Sequence, residues 1–398
     1  DWSSDVCSSD LEMARNVGSP GYILMIWLIT GIITLIAALS YGELAGMMPK
    51  AGGQYIYLKE AFGPMVGFLF GWTVFTVIQT GVIAAVAIAF ATYAGELFPV
   101  FSSANVLLDL GAVVITAKQG LAIFIIVFLT AINLLGVKTA KTVQTIFTLA
   151  KLLALLGLIT GGIYVGMNLD VWDINMKDFW TPFSTTQDDT GAIAVKLLSG
   201  TVLYGAIGSA MVGSLFSSDS WNNITYTAGE VKNPQKNIPL SLFYGTLIVT
   251  IIYILANVTY MMLLPVNGVP GGATVAERGI MFAANDRVGT AAAEVIFGHI
   301  GTAIMAVFIM ISTFGCNNGL ILAGSRVYYA MAQENLFFKQ AKLLNTRGVP
   351  AISLILQSAW ACVLCLSGTY SDLLSYTVFT VLIFYILTIL GVFILRRK

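Results

Sequence analysis

The residues best suited to chemistry form a short polar run inside an apolar one. VLYGAIGSAMVGSLF ends in Phe216 and is followed by Ser217, Ser218, Asp219 and Ser220, then Trp221, Asn222 and Asn223. Three serines and an aspartate at membrane depth are costly in a continuous lipid-facing helix, and a helix broken there to line a cavity tolerates them. A break exposes carbonyls at the end of the first half and N–H groups at the start of the second, whose positive dipole end can hold an anionic substrate group. Phe216 through Asn222 are therefore the candidate substrate-binding residues. Asp219 has two readings, an N-cap of the second half-helix or a buried carboxylate that meets a substrate amine or a proton.

A second candidate is Lys151, nine residues into a span that starts near Thr142 and so about 13.5 Å deep at the helical rise. Its stem reaches the interface poorly from there. A buried lysine loses its proton readily, so Lys151 can stand where a coupling cation would sit or titrate as the coupling group. Ser312, Thr313 and Asn317 are its candidate partners. Phe379, Phe384 and Tyr385, with Phe216 and Trp221, could wall an apolar pocket, although aromatics in membrane helices mostly pack or mark the interface. Glu43 and Glu60 sit at span ends, where structure or gating outranks substrate contact. Cys362 and Cys365 form a C-x-x-C inside an apolar stretch and read as packing. No metal site or other cofactor is indicated.

Positioning these residues requires a membrane. Hydrophobic residues make up 57% of the 398 and charged residues 10%, against roughly a quarter charged in soluble domains. The charges cluster and leave spans at about 21–47, 62–95, 120–137, 142–166, 197–229, 239–264, 290–323, 351–368 and 372–395, each long enough for a ~30 Å hydrocarbon core. The expected fold class is an all-α polytopic membrane protein of about nine spans. Fourteen of the 20 Lys and Arg residues fall on one side of that arrangement. The positive-inside rule then places the visible N-terminus outside and the C-terminus in the cytoplasm of a cell that holds the chain in its inner membrane. Zero formal net charge and the absence of a basic run give no footprint for nucleic acid. No H-E-x-x-H, G-x-S-x-G or G-x-x-x-x-G-K-[ST] is present, so an enzyme or an ATP-driven pump is unsupported. Gly63, Gly67, Gly71 and Gly157, Gly161 are spaced for close helix approach. Residues 1–11 resemble a translated sequencing adaptor and are set apart from a single transmembrane domain over 12–398.

Four motifs carry a family resemblance in order: YGELAGMMPKAGGQYIYLKEAFGPMVGFLFGW (41–72), FTLAKLLALLGL (147–158), LFSSDSWNNITYTAGEVKNPQKNIP (215–239) and STFGCNNGLILAGSRVYYAMAQENLFFK (312–339). They resemble the amino acid-polyamine-organocation permeases, closest to the L-type amino acid transporter branch. The resemblance implies a leucine-transporter-like fold of two inverted five-helix repeats, the first over about 12–166 and the second over about 197–395. It also implies that the visible spans are helices 2 to 10 of twelve, so that the chain is a fragment lacking helix 1 and helices 11 and 12. It implies a secondary transporter of amino acids working by alternating access, as a proton-coupled symporter or an exchanger without a sodium requirement. A channel or a non-transporting sensor is the competing reading. By resemblance Phe216 is the gate aromatic, Trp221 and Asn222 start the second half-helix, and Lys151 occupies the sodium position. Asp219 stands where the family often has a small residue. No cysteine lies in residues 96–119, where animal members bond a glycoprotein subunit, so no disulfide-linked partner is implied.

Overall fold

The computed structural model describes residues 5–109, 114–187, 193–367 and 370–397. In chain order the helices are α1 (Asp5–Val17), α2 (Pro20–Met47), α3 (Gln54–Phe62), α4 (Pro64–Thr73) and α5 (Gln79–Leu97), the last two joined by a π-helical turn at Val74–Ile78. A hairpin of β1 (Val106–Asp109) and β2 (Val114–Thr116) leads to α6 (Ala117–Leu134) and α7 (Val137–Gly166). Then come α8 (Val171–Lys177), a second hairpin of β3 (Phe183–Gln187) and β4 (Ile193–Leu197), α9 (Gly200–Ser217) and a 3-10 segment (Trp221–Glu230). The chain continues through α10 (Pro234–Leu263), α11 (Val275–Arg278), α12 (Val288–Phe297), α13 (Gly301–Gln333), α14 (Ala351–Ser367) and α15 (Tyr370–Leu395).

Helices dominate because in lipid each backbone N–H and C=O must be bonded within its own segment. Among the described residues, seven helical stretches are long and apolar enough to span, and Ala351–Ser367 and Phe379–Leu395 are shorter apolar helices. Seven of the nine expected spans thus coincide with helices of spanning length, and the last two fall at the shorter apolar helices. The π-helical turn inside the span Pro64–Leu97 loosens the backbone ladder, and Thr80 Oγ1 donates to the Phe75 carbonyl at 2.7 Å. Two segments expected as plain loops carry structure: 167–196 holds α8 and most of the β3–β4 hairpin, and 265–289 holds α11. Local hydrogen bonding ordered them without apolar periodicity, as the Thr274/Glu277 capping box of α11 illustrates.

The described chain divides into two compact units. The first comprises residues 1–34, 150–219 and 246–309, and the second 35–149, 220–245 and 310–398. In the first, Leu11, Met13, Ala14 and Val17 of α1 are buried, and Trp27 Nε1 donates to Asp10 Oδ1 at 2.9 Å. Asn175 of α8 finishes α10: its Nδ2 donates to the Met261 and Leu264 carbonyls at 2.7 and 3.1 Å, and its Oδ1 accepts from Val266 N at 2.9 Å. Carbonyls at a helix end otherwise have no partner within the helix. Of the two glycines Gly157 and Gly161, the first meets nothing within 4 Å and the second only Ile296 at 3.8 Å. The close approach falls instead at Gly162, where a Cβ would lie 2.3 Å from Thr259 Cγ2.

Among the described residues the second unit holds two apolar clusters. One joins α2, α3, α4, α13 and α15 through Tyr41, Tyr55, Tyr57, Phe70, Tyr328 and Phe384. The other joins α5, α6, α13 and α14. Gly67 and Gly71 do pack closely, against Lys59 and Met331. Gly63 serves a different purpose, since its φ of 96° makes the turn between α3 and α4 that a side chain would strain. Gly315 and Gly319 of α13 form a small-residue pair missed in the sequence, and they receive Phe147 and Gln144 of α7.

Candidate functional site

The interrupted span has an end in each unit: the first unit's segment closes at Asp219 and the second's resumes at Ser220. Within the first unit, α9 stops at Ser217, Ser218 N still reaches the Ser214 carbonyl at 3.0 Å, and Asp219 N closes a final turn on the Phe216 carbonyl at 2.9 Å. Hydroxyls fix this end. Ser217 Oγ lies 3.1 Å from Ser9 Oγ and donates to the Gly213 carbonyl at 3.0 Å, while Ser214 Oγ lies 2.7 Å from Thr30 Oγ1. The Ser217 carbonyl, left over by the helix, accepts from the Tyr253 hydroxyl at 3.0 Å. Tyr253 is itself held edge-on to Trp27 with ring centres 5.1 Å apart. Ser214 and Ser217 are buried, whereas Phe216, Ser218 and Asp219 are half-buried.

The polar run does break the helix, but the chain resumes as a 3-10 segment, not as an α-helix. Its N-cap position is Ser220, at φ 66° in the left-handed region and without a side-chain cap bond. The N-cap reading of Asp219 is therefore corrected. The left-handed turn at Ser220 shifts the cap one residue on and leaves Asp219 before it.

Within the second unit the start of the 3-10 segment is tied by a carboxamide. Asn222 is 4% exposed, and its Nδ2 donates to Gln54 Oε1 at 2.9 Å and to the Tyr226 hydroxyl at 3.2 Å. Its Oδ1 accepts from the Tyr385 hydroxyl at 3.2 Å. Gln54, at the start of α3, donates in turn to Thr388 Oγ1 at 3.0 Å and to the Phe384 carbonyl at 3.3 Å. Trp221 completes a three-ring cluster, 4.9 Å from Tyr41 and 5.5 Å from Tyr385 between ring centres, with Tyr41 and Tyr385 5.9 Å apart. Gly53 permits this approach, because a Cβ there would lie 2.2 Å from Thr225 Oγ1. Phe384 turns inward onto Phe70 at 5.1 Å, while Phe379 is 71% exposed and so is not a pocket wall.

Lys151 sits midway along α7, half-buried, in the first unit. Ser312, Thr313 and Asn317 are buried on α13 in the second, where Thr313 Oγ1 donates to the Met310 carbonyl at 3.2 Å and Asn317 Nδ2 to the Ile83 carbonyl at 3.3 Å. Neither unit by itself assembles the expected coupling cluster.

Among the described residues the second unit also carries four ion pairs. Glu43 meets Arg396, buried Arg326 meets Glu230 at 2.9 Å, and Lys59 meets Glu334. Glu60 lies 3.7 Å from Lys59, so both acidic span ends have cationic neighbours. Burial pushes the Glu334 carboxyl up, but hydrogen bonds from Lys59 and Tyr55 and the charges of Lys59 and Lys50 outweigh it, leaving it below its ordinary value. Among the described residues no group of His, Cys, Asp and Glu could hold a metal ion.

Gln54, Tyr226 and Tyr253 were missed in the sequence. Gln54 had a signal, a carboxamide directly after Gly52-Gly53 in an otherwise apolar and aromatic stretch. Tyr253 had none beyond being one tyrosine in an apolar helix.

A helical polytopic chain whose span is interrupted by Ser218–Ser220, with each end anchored by its own buried network, has the architecture of a membrane permease. The chain belongs to the amino acid permease family, within the amino acid-polyamine-organocation superfamily: the family model for amino acid permeases matches residues 3–398. It is 29% identical over 395 residues to b(0,+)-type amino acid transporter 1 of Mus musculus, an alignment covering 99% of this chain and 72% of that one. It is 29% identical over 384 residues to the serine/threonine exchanger SteT of Bacillus subtilis (strain 168), covering 96% and 76%. It is 30% identical over 398 residues to large neutral amino acids transporter small subunit 2 of Mus musculus, covering 99% and 67%. The family and these relatives are transporters, not enzymes.

Proposed function

We propose that this chain moves amino acids across a cell membrane by alternating access, with the substrate carboxylate held at the start of the 3-10 segment that follows the break. The observation that carries this reading is the break itself. The first N–H groups of the 3-10 segment, those of Trp221 and Asn222, have no acceptor within it and suit the substrate carboxylate. Phe216 and Trp221 are the proposed apolar contacts of the substrate, and Asp219 the proposed carboxylate for its amine or for a proton. Asn222 has its amide hydrogens engaged by Gln54 and Tyr226, so it shapes the site and leaves ligation to the backbone. Lys151 with Ser312 and Thr313 is the proposed coupling group, in keeping with proton use and no need of sodium. Exchange has support from the relative named a serine/threonine exchanger, and proton symport is the other form of the proposal. The basic-side count favours a cytoplasmic C-terminus. The relative named a small subunit raises an assembly for that protein. In this chain residues 96–119 hold no cysteine, so a disulfide there is not part of the proposal.

The test is a panel of amino acids and amines, scored first by thermal stabilisation of the purified protein and then by uptake into proteoliposomes. Stabilisation by amino acids with uptake accelerated by internal amino acid supports exchange, and accumulation driven by a pH gradient supports symport. Stabilisation without flux would replace the proposal with a sensor, and neither response would overturn it.

A further inference from the structure

We propose that the end of the second unit where the α6–α7 turn meets the loop before α14 is a binding site for the phosphate headgroup of an anionic phospholipid. This inference uses only the membrane character of the chain and is independent of the transport reading. Five cations gather there from two stretches far apart in sequence: Lys138 and Lys141 at the start of α7, and Lys339, Lys342 and Arg347 between α13 and α14. All five are exposed. Three contacts join the two stretches. Arg347 Nη1 donates to the Leu135 carbonyl at 3.2 Å, Asn345 Nδ2 donates to the Leu134 carbonyl at 3.2 Å, and a Cβ at Gly136 would lie 3.7 Å from Arg347 Cβ.

No acid lies in either stretch. From Lys118 to Leu149 and from Asn335 to Tyr370 the sequence has no Asp or Glu. Other cations of the same unit have acidic partners: Arg396 has Glu43, Arg326 has Glu230 and Lys59 has Glu334. Among the described residues none of the five makes an ion pair. Like charges held together repel one another, and an anion from outside the chain relieves that repulsion.

Position selects the anion. α6 has 18 residues, about 27 Å of helix against a ~30 Å hydrocarbon core, so its end at Leu134 lies at the boundary with the headgroups. The connecting turn is two residues long, and α7 starts at Val137. Lys138 and Lys141 therefore lie at or just inside the depth of the phosphates, where a long stem carries its ammonium outward. Leucines sit among the cations: Leu135, Leu343 and Leu344 are 52%, 57% and 50% exposed. Apolar contact beside clustered Lys and Arg is how a bilayer surface with anionic headgroups is gripped. With Nη1 of Arg347 on a carbonyl, the edge formed by its Nε and Nη2 is left for two phosphate oxygens.

The experiment counts phosphatidylglycerol and phosphatidylcholine molecules bound to the purified full chain in neutral detergent by native mass spectrometry. Phosphatidylglycerol should bind roughly tenfold more tightly, and Lys138→Gln with Lys342→Gln should remove most of that preference, since each cation near a bilayer surface is worth roughly fivefold. Lys232→Gln with Lys236→Gln, which take the same charge from around the start of α10, should leave it largely intact. Should the first pair fail to fold, the parent chain in concentrated ammonium acetate is the second measurement: screening should weaken phosphatidylglycerol binding severalfold and leave phosphatidylcholine unchanged. Equal binding of the two lipids would overturn the proposal. So would equal losses in the two pairs of variants, which would mean that net charge and not this cluster attracts the lipid. Displacement of phosphatidylglycerol by inorganic phosphate at equal concentration would mean a site for the free ion, and would overturn the lipid as its occupant.

Discussion

At its first end the interrupted span is held by hydroxyls, and at its second by a carboxamide. Around Ser214 and Ser217 each bond is short-ranged and replaceable, since a hydroxyl rotates and can donate to a carbonyl of its own helix. Around Asn222 a planar group has both amide hydrogens and its oxygen committed to side chains from α3, the 3-10 segment and α15. A fixed carboxamide tolerates one geometry, whereas a ladder of rotatable hydroxyls tolerates several. The contrast teaches that the 3-10 end is the template of the proposed site and the α9 end its adaptable half.

Disrupting the template should therefore have the largest effect. Asn222→Ala removes the donor to Gln54 and the acceptor of Tyr385 in a buried setting, and is expected to cost about 2–4 kcal/mol and to cut uptake at least tenfold. Gln54→Leu should do nearly as much while leaving Phe216–Asn222 themselves unaltered, since it removes the acceptor of Asn222. Thermal unfolding paired with uptake checks both, and near-native values for Gln54→Leu would dissolve the comparison. Tyr253→Phe keeps the ring on Trp27 and removes only the hydroxyl that meets the Ser217 carbonyl. About 1 kcal/mol and a few-fold loss of uptake are expected. An effect as large as that of Asn222→Ala would make the two ends equivalent.

How far these ends were legible in the sequence follows from which forces each uses. Lipid forces backbone bonds inside each segment, so apolar length alone located the long apolar helices, and polar cost alone located the break between Ser217 and Trp221. The Asn222 network was not legible, because Gln54 and Tyr385 lie 168 and 163 residues from Asn222. A single sequence does not reveal which distant polar groups share a buried bond. The cap at Ser220 was missed because a positive φ in a serine is set by the surrounding packing and not by its own preference. Lys151 was legible as a mid-span charge, and the structure keeps it at the middle of α7. Its proposed coupling role rests on that depth together with the resemblance. The β1–β2 hairpin was not legible because residues 96–119 read only as the connection between two spans.

Asp219→Asn probes the adaptable half directly. The isosteric amide keeps hydrogen-bonding capacity and removes the charge, so thermal stability should stay within about 0.5 kcal/mol of the parent. If the carboxylate meets the substrate amine or a proton, the substrate concentration for half-maximal uptake should rise several-fold and the pH profile of uptake should flatten. Unchanged uptake and pH dependence would confine Asp219 to shaping the turn and would shift the chemistry wholly onto the 3-10 end.

The smallest effect concerns the clamp on α3, the helix that presents Gln54. Lys59 and Tyr55, both on α3, bond Glu334 just beyond α13, with Tyr55 at 2.6 Å. Because the pair is part-exposed, Glu334→Gln should cost only a few tenths to about 1 kcal/mol at neutral pH. The Glu334 carboxyl is held below its ordinary value of 4.5. Its contribution is therefore complete above about pH 4.5 and is lost as the pH falls through the lowered folded value, where the carboxylate takes up its proton. The stability difference between parent and Glu334→Gln should accordingly be flat from pH 8 to 5 and shrink only below that. A difference that already fades between pH 8 and 6 would show that another group titrates the clamp, and that the template end is tuned near neutrality and not fixed.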